Sequence, residues 1–171
     1  MLLTSTWTAL LLVSSAYACV RYAIDYRKEQ WRPVVAHIAS VSGPHAVALV
    51  PYDVDPFRYY DRRQPRPIEA FEVSHPEVPF ASNYTEKQLE EMIDGAREHM
   101  RGHDEVWVVV RSPNSEVRLE LSRRVTRAAN EGRILVGQEI WNSMSGPLRV
   151  AHYLGESAGR AGVTADSTAA R

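Results

Sequence analysis

Asp53-Val54-Asp55 sets two carboxylates one residue apart. On a loop, such a pair can share a divalent cation and hold a diphosphate through it. Aspartate also builds turns, which is the plainer account of so short a match. His99 and His103 have the i,i+4 spacing of a helical metal pair. Gly102 would end the helix between them, and no H-E-x-x-H pattern is present, so two exposed helix-end histidines are expected. Ser112 and Ser115 flank Pro113-Asn114 at a strand-to-helix turn, where a nucleophile or a phosphate could sit. Pro113 removes one donor there, and an N-cap role is the simpler expectation. Asn83-Tyr84-Thr85 is a glycosylation sequon. Phe57, Tyr59 and Tyr60 form an aromatic cluster, suited either to packing over a sheet edge or to a glycan or lipid-headgroup platform. The remaining histidines are His37, His45, His75 and His152. No G-x-G-x-x-G, P-loop or G-x-S-x-G occurs.

The elements that must position these residues follow from hydrophobic period. Trp31, Val34, Val35, Ile38 and Val41 mark one face of a helix over Glu29 to Val41, with Pro33 in its first turn and Gly43-Pro44 beyond its end. Ala46 to Val50 reads as a buried strand closed by Pro51. A short helix is expected over Pro56 to Asp61 and a strand over Ile68 to Val73. Thr85-x-x-Gln88 reads as a capping box opening a helix whose apolar face is Leu89, Met92, Ile93, Ala96 and Met100. "EVWVVVR", Glu105 to Arg111, is the strongest strand pattern. Val117, Leu121, Val125, Ala128 and Ala129 give a last helical face, closed by Gly132. Strands over Arg133 to Gly137 and Leu148 to Leu154 complete the order, the last two antiparallel at an edge. The alternation predicts an α/β fold: a small, mostly parallel sheet with helices on its faces.

The chain has 171 residues and a formal net charge of -1, which gives no electrostatic footprint for nucleic acid. Lysine occurs only at Lys28 and Lys87 among 20 basic residues, a bias that suggests GC-rich bacterial coding. With Cys19 alone, no disulfide and no cysteine zinc site can form within one chain. Met1 to Val20 carries no charge. Ala16-Tyr17-Ala18 fits signal-peptide cleavage, and Cys19 a lipoprotein signal. About 20 residues also suffice to cross a hydrocarbon core of about 30 Å. Thr4, Ser5, Thr6, Thr8, Ser14 and Ser15 suit packing on another membrane helix. The organisation expected is a transmembrane helix over 1–24, an α/β domain over 29–154 and a disordered tail over 155–171.

One ordered set of patches is more specific. "KEQWRPVVAHIASV" is followed by "VDPFRYYDRRQPRP", then "HDEVWVVVRS" and "GPLRVAHYL". From about Ala9 to Leu154 this order resembles the C-terminal part of bacterial GT-C glycosyltransferases, the protein-mannosyltransferase and aminoarabinose-transferase superfamily. The resemblance implies a last membrane helix leading into Trp31-Arg32, a patch at Phe57, Tyr59 and Tyr60, and a "vWlv" strand at Val106 to Val109. It implies membrane localisation, an extracytoplasmic domain shaping the acceptor side, and contact with membrane lipid, other membrane helices or a polyprenyl-phosphate-sugar transferase core. The family's catalytic carboxylates lie in a membrane half that has no counterpart here. The resemblance therefore carries over no catalytic residue, metal or cofactor, and leaves Trp31, Arg32, Phe57, Tyr59 and Tyr60 as a ligand or packing patch. The alternatives are an exported or single-span α/β binding module, and a small metal enzyme using Asp53 and Asp55.

Overall fold

A computed structural model describes residues 14–17, 30–52, 54–75, 84–111, 116–142 and 146–156. Several expectations lie outside these residues: most of the opening stretch, Asp53, Asn83 of the sequon, the turn from Ser112 to Ser115, and the tail beyond 156.

From Trp31 onward the described residues form four helices and five strands. They are α1 (Trp31–Val41), β1 (Ala46–Pro51), α2 (Val54–Asp61), β2 (Glu69–Val73), α3 (Glu86–Met100), β3 (Glu105–Arg111), α4 (Glu116–Asn130), β4 (Arg133–Trp141) and β5 (Leu148–Gly155). The strands form one sheet in the order β2-β1-β3-β5-β4. β1 pairs in parallel with both β2 and β3. β5 runs antiparallel to β3 and to β4, so four strands point one way and β5 is inserted against them. The sheet is therefore mixed. The antiparallel final pair sits at one side, with β4 rather than β5 at the edge.

Side-chain alternation divides the interior in two. Val47, Leu49, Val106 and Val108 face α3 and α4, where Leu89, Met92, Ile93, Leu121 and Val125 meet them. Ala48, Val50, Trp107 and Val109 face α1 and α2, against Trp31, Val34, Val35, Ile38 and Phe57. The capping box of α3 forms as its sequence requires: Gln88 N–H donates to Thr85 Oγ1, and Thr85 N–H donates to Gln88 Oε1. Gly102 and Gly132 follow α3 and α4 with φ of 81° and 69°, a conformation that costs glycine little.

Of the membrane span expected over 1–24 only 14–17 is described, and among the described residues no helix is long and apolar enough to cross a membrane. Two expectations are corrected. Val41 is exposed, because α1 ends there and the chain turns away at Ser42 and Gly43. Strand β4 extends to Trp141, four residues past Gly137, because β5 supplies pairing partners along that whole length.

Candidate functional site

From β1 the chain crosses through α2 to β2 on one side, and β3 lies on the other side of β1. That reversal is a topological switch point, and in open α/β sheets ligands collect outside the carboxyl ends of the strands there. Both α2 and α4 begin at this end of the sheet, so their free N–H groups and positive dipole ends point the same way.

The side chains gathered at this end are polar and aromatic. Tyr52, just past β1, has φ of 53°, an uncommon conformation for a bulky side chain. Its ring belongs to the core, and its hydroxyl donates to the Arg118 carbonyl oxygen at 2.5 Å. The Arg118 guanidinium sits 5.1 Å from the ring centroid. Burial pushes the Tyr52 phenol far above its ordinary value. Tyr84, before α3, is also pushed up by burial, opposed by the Arg118 charge and reinforced by Glu72 at the end of β2. His75, beyond β2, is buried and has Nε2 3.4 Å from Glu91 Oε2. Tyr52, Glu72, His75, Tyr84, Glu91 and Arg118 therefore reach one end of the sheet from four different segments.

The opposite end carries a second polar cluster with a structural task. Glu105, at the start of β3, is buried. Its carboxylate accepts from Gly43 N–H at 2.7 Å and from Trp107 Nε1–H at 2.8 Å. His152 stacks on Trp107 at 3.8 Å, and its Nε2 approaches Glu105 Oε1 to 3.1 Å without the alignment of a good hydrogen bond. Burial alone would raise the Glu105 carboxyl. His152, Gly43 and Trp107 together outweigh it and hold the group below the ordinary glutamate value. The cluster ties the loop between α1 and β1 to the sheet.

The residues singled out by sequence are dispersed. Asp55 is exposed in the first turn of α2. His99 stacks on Phe71 at 3.6 Å, whereas His103 Nδ1 donates to the His45 carbonyl at 2.9 Å, so the two histidines have separate partners. Among the described residues no group of three or more His, Cys, Asp or Glu is placed to hold a metal. Trp31 and Phe57 are fully buried, with Tyr60 packed partly against them. Arg32 is exposed. Tyr59 is 55% exposed, edge-on to Tyr60 at 5.0 Å and under the Arg63 guanidinium at 3.7 Å. The sequence pointed to neither Tyr52 nor Arg118, and His75 was named without a role. The signal for Tyr52 was its place directly after a strand-ending proline.

No protein-family model matches the chain, and no curated protein matches it. Among solved structures, a protein-(glutamine-N5) methyltransferase, release factor-specific, from Alicyclobacillus acidocaldarius matches at 10% identity. It covers 74% of this chain and 89% of its own, with a TM-score of 0.37. An uncharacterized protein from Listeria monocytogenes matches at 7% identity, covering 72% of this chain and 67% of its own, with a TM-score of 0.35. Likeness this distant transfers no activity. The expected glycosyltransferase kinship is corrected, and with it the membrane localisation and the acceptor-side role: no family model and no curated protein carries them, and among the described residues no helix is long and apolar enough to cross a membrane.

Proposed function

We propose that this chain is a ligand-binding α/β domain, and that its ligand is a small molecule with an anionic group held at the carboxyl ends of β1 and β3. The observation that carries the reading is the reversal of strand order at β1. Supporting it, α2 and α4 both open at this end, and helix N-termini favour negative charge. Arg111 ends β3 and Arg118 lies in the first turn of α4, so two cations accompany those termini. The positive φ of Tyr52 fits a site where the backbone is held in a costly shape by its surroundings. Anion capture would combine backbone N–H groups with the Arg118 guanidinium, while the Tyr52 and Tyr84 rings wall the crevice.

The test is calorimetry and thermal melting with inorganic phosphate, pyrophosphate and a mononucleotide. The expected result is saturable binding to at least one of them that Arg118→Ala weakens about tenfold or more, as loss of a charged hydrogen-bonding partner should. Arg101→Ala, exposed at the other end of the sheet, should leave it unchanged. Absence of binding by all three probes, or equal loss in both variants, ends the proposal.

A further inference from the structure

The two faces of the sheet are not equally clothed. On the face shared by α3 and α4, the helices cover β2, β1 and β3 and bury Ala151 and Tyr153 of β5, while among the described residues β4 has no buried side chain. A groove of about 910 Å³ results. Val108, Val110, Ala151 and Tyr153 form its floor, and Leu119 and Thr126 of α4 stand along one wall. Leu135 of β4 pairs with Tyr153, and Ile140 pairs with Arg149, which places both on the groove face by strand alternation. They are 46% and 59% exposed. Val136, at the irregularity between Leu135 and Gly137, adds another exposed apolar side chain at 45%. Apolar exposure concentrated on one edge marks an interaction surface.

The rim has a charge. Arg123 and Arg127 stand on α4, and Arg149 on β5, against Glu116 among the described residues of the groove. All three arginines are exposed, and Arg149 forms no ion pair among the described residues. An α/β sheet normally buries each apolar face beneath helices, so the empty place has the shape of one more helix beside α4. That neighbour sets the length: 15 residues, or about 22 Å at about 1.5 Å per residue.

We propose that this groove docks an amphipathic helix of another protein, with an apolar stripe against Leu135 and Ile140 and acidic side chains toward Arg123, Arg127 and Arg149. Helix-in-groove recognition reads apolar anchors at i, i+3, i+4 and i+7. The arginines fix polarity and exclude basic partners. A second copy of this chain is a poor occupant, because α1 to α4 each turn their main apolar stripe into their own core.

The experiment is fluorescence anisotropy on the full chain with a labelled 16-residue helical peptide, leucine on one face and glutamate on its flanks. A second peptide has every glutamate replaced by lysine. The glutamate peptide is expected to bind at least about tenfold more tightly, with affinity falling as salt rises. Ile140→Asp and Leu135→Asp alter exposed positions, and each should weaken the glutamate peptide about tenfold while the variant still melts cooperatively. The paired change Arg123→Ala with Arg127→Ala should narrow the gap between the two peptides. Equal binding of both peptides, or binding unaffected by Ile140→Asp and Leu135→Asp, overturns the proposal. So does a concentration-dependent dimer abolished by Ile140→Asp, which would make a second copy the occupant. Competition by a fatty acid without any preference for the acidic peptide would assign the groove to a small apolar ligand and overturn it too.

Discussion

Strand β1, "AVALVP", is an apolar run, and β4, "RILVGQEIW", contains one at Ile134 to Val136, yet all six residues of β1 are buried and none of β4 is. Local pattern does not explain this. β1 lies between two parallel partners with helices on both faces, whereas β4 is an edge strand paired only with β5. The face of β4 away from the groove meets His37 of α1, whose Nε2 lies 3.2 Å from Glu139 Oε1 and whose ring centroid lies 6.0 Å from that of Trp141. On its groove face α4 reaches it from one side only, and Leu135 and Ile140 stay 46% and 59% exposed. An apolar run therefore contributes to the core at one place and to a surface at the other.

Substitutions should separate these two regions sharply. The largest effect is expected from Val35→Asp, which places an unpaired carboxylate in a side-chain position with no exposed surface. It should cost more than about 4 kcal/mol and leave no cooperative melting transition. A variant that melts like the parent would break the assignment of the α1 core face. Next, Leu49→Ala in β1 should cost about 2–5 kcal/mol in urea denaturation. Leu135→Ala in β4, at 46% exposure, should cost less than about 1 kcal/mol. Equal losses at the two sites would mean that β4 is covered in solution.

Glu105→Gln should come third, at about 1.5–3 kcal/mol near neutral pH, because the amide replaces a charged acceptor for buried donors. Its pH dependence has a defined sign. The folded carboxyl titrates below the ordinary value of 4.5, so the unfolded chain holds more protons between the two values. The contribution of Glu105 is thus complete above about 4.5 and is lost as pH falls through the folded value. Asp61 slopes the other way: burial outweighs the Ile68 N–H bonds and raises its carboxyl, so acidification relieves the cost of its charge. The difference between parent and Glu105→Gln, followed from pH 6 to about pH 3, isolates the first effect; a constant difference would reject it. The smallest change is expected from Arg123→Ala on the outer face of α4, below about 0.5 kcal/mol in stability.

Much of the secondary structure was legible because it rests on local chemistry. The stripe Leu89, Met92, Ile93, Ala96 and Met100 is buried as its spacing requires, and the Thr85–Gln88 box closes the front of the same helix. Boundaries were less legible where tertiary contacts moved them. Helix α2 starts at Val54, two residues before Pro56, because Val54 is itself drawn into the core. Aromatic identity left packing and ligand contact open: Trp31 and Phe57 fill the interior, while of the patch only Tyr59 and Arg32 are exposed. Residue type says that a ring is worth burying, and only the neighbours say whether it is.

The candidate site was the least legible part. Tyr52 and Arg118 are 66 positions apart, and Gly43 and Glu105 are 62 apart. No periodicity links such pairs; they meet because β1 and β3 lie side by side. By itself the sequence determined where the helices and strands form, through apolar spacing, caps and glycines, since these act within a few residues. The tertiary structure alone decided the strand order, the insertion of β5 between β3 and β4, the switch point beside β1, and the exposure of β4. Those depend on which apolar faces find partners, and burial is a property of the assembled sheet rather than of any segment within it.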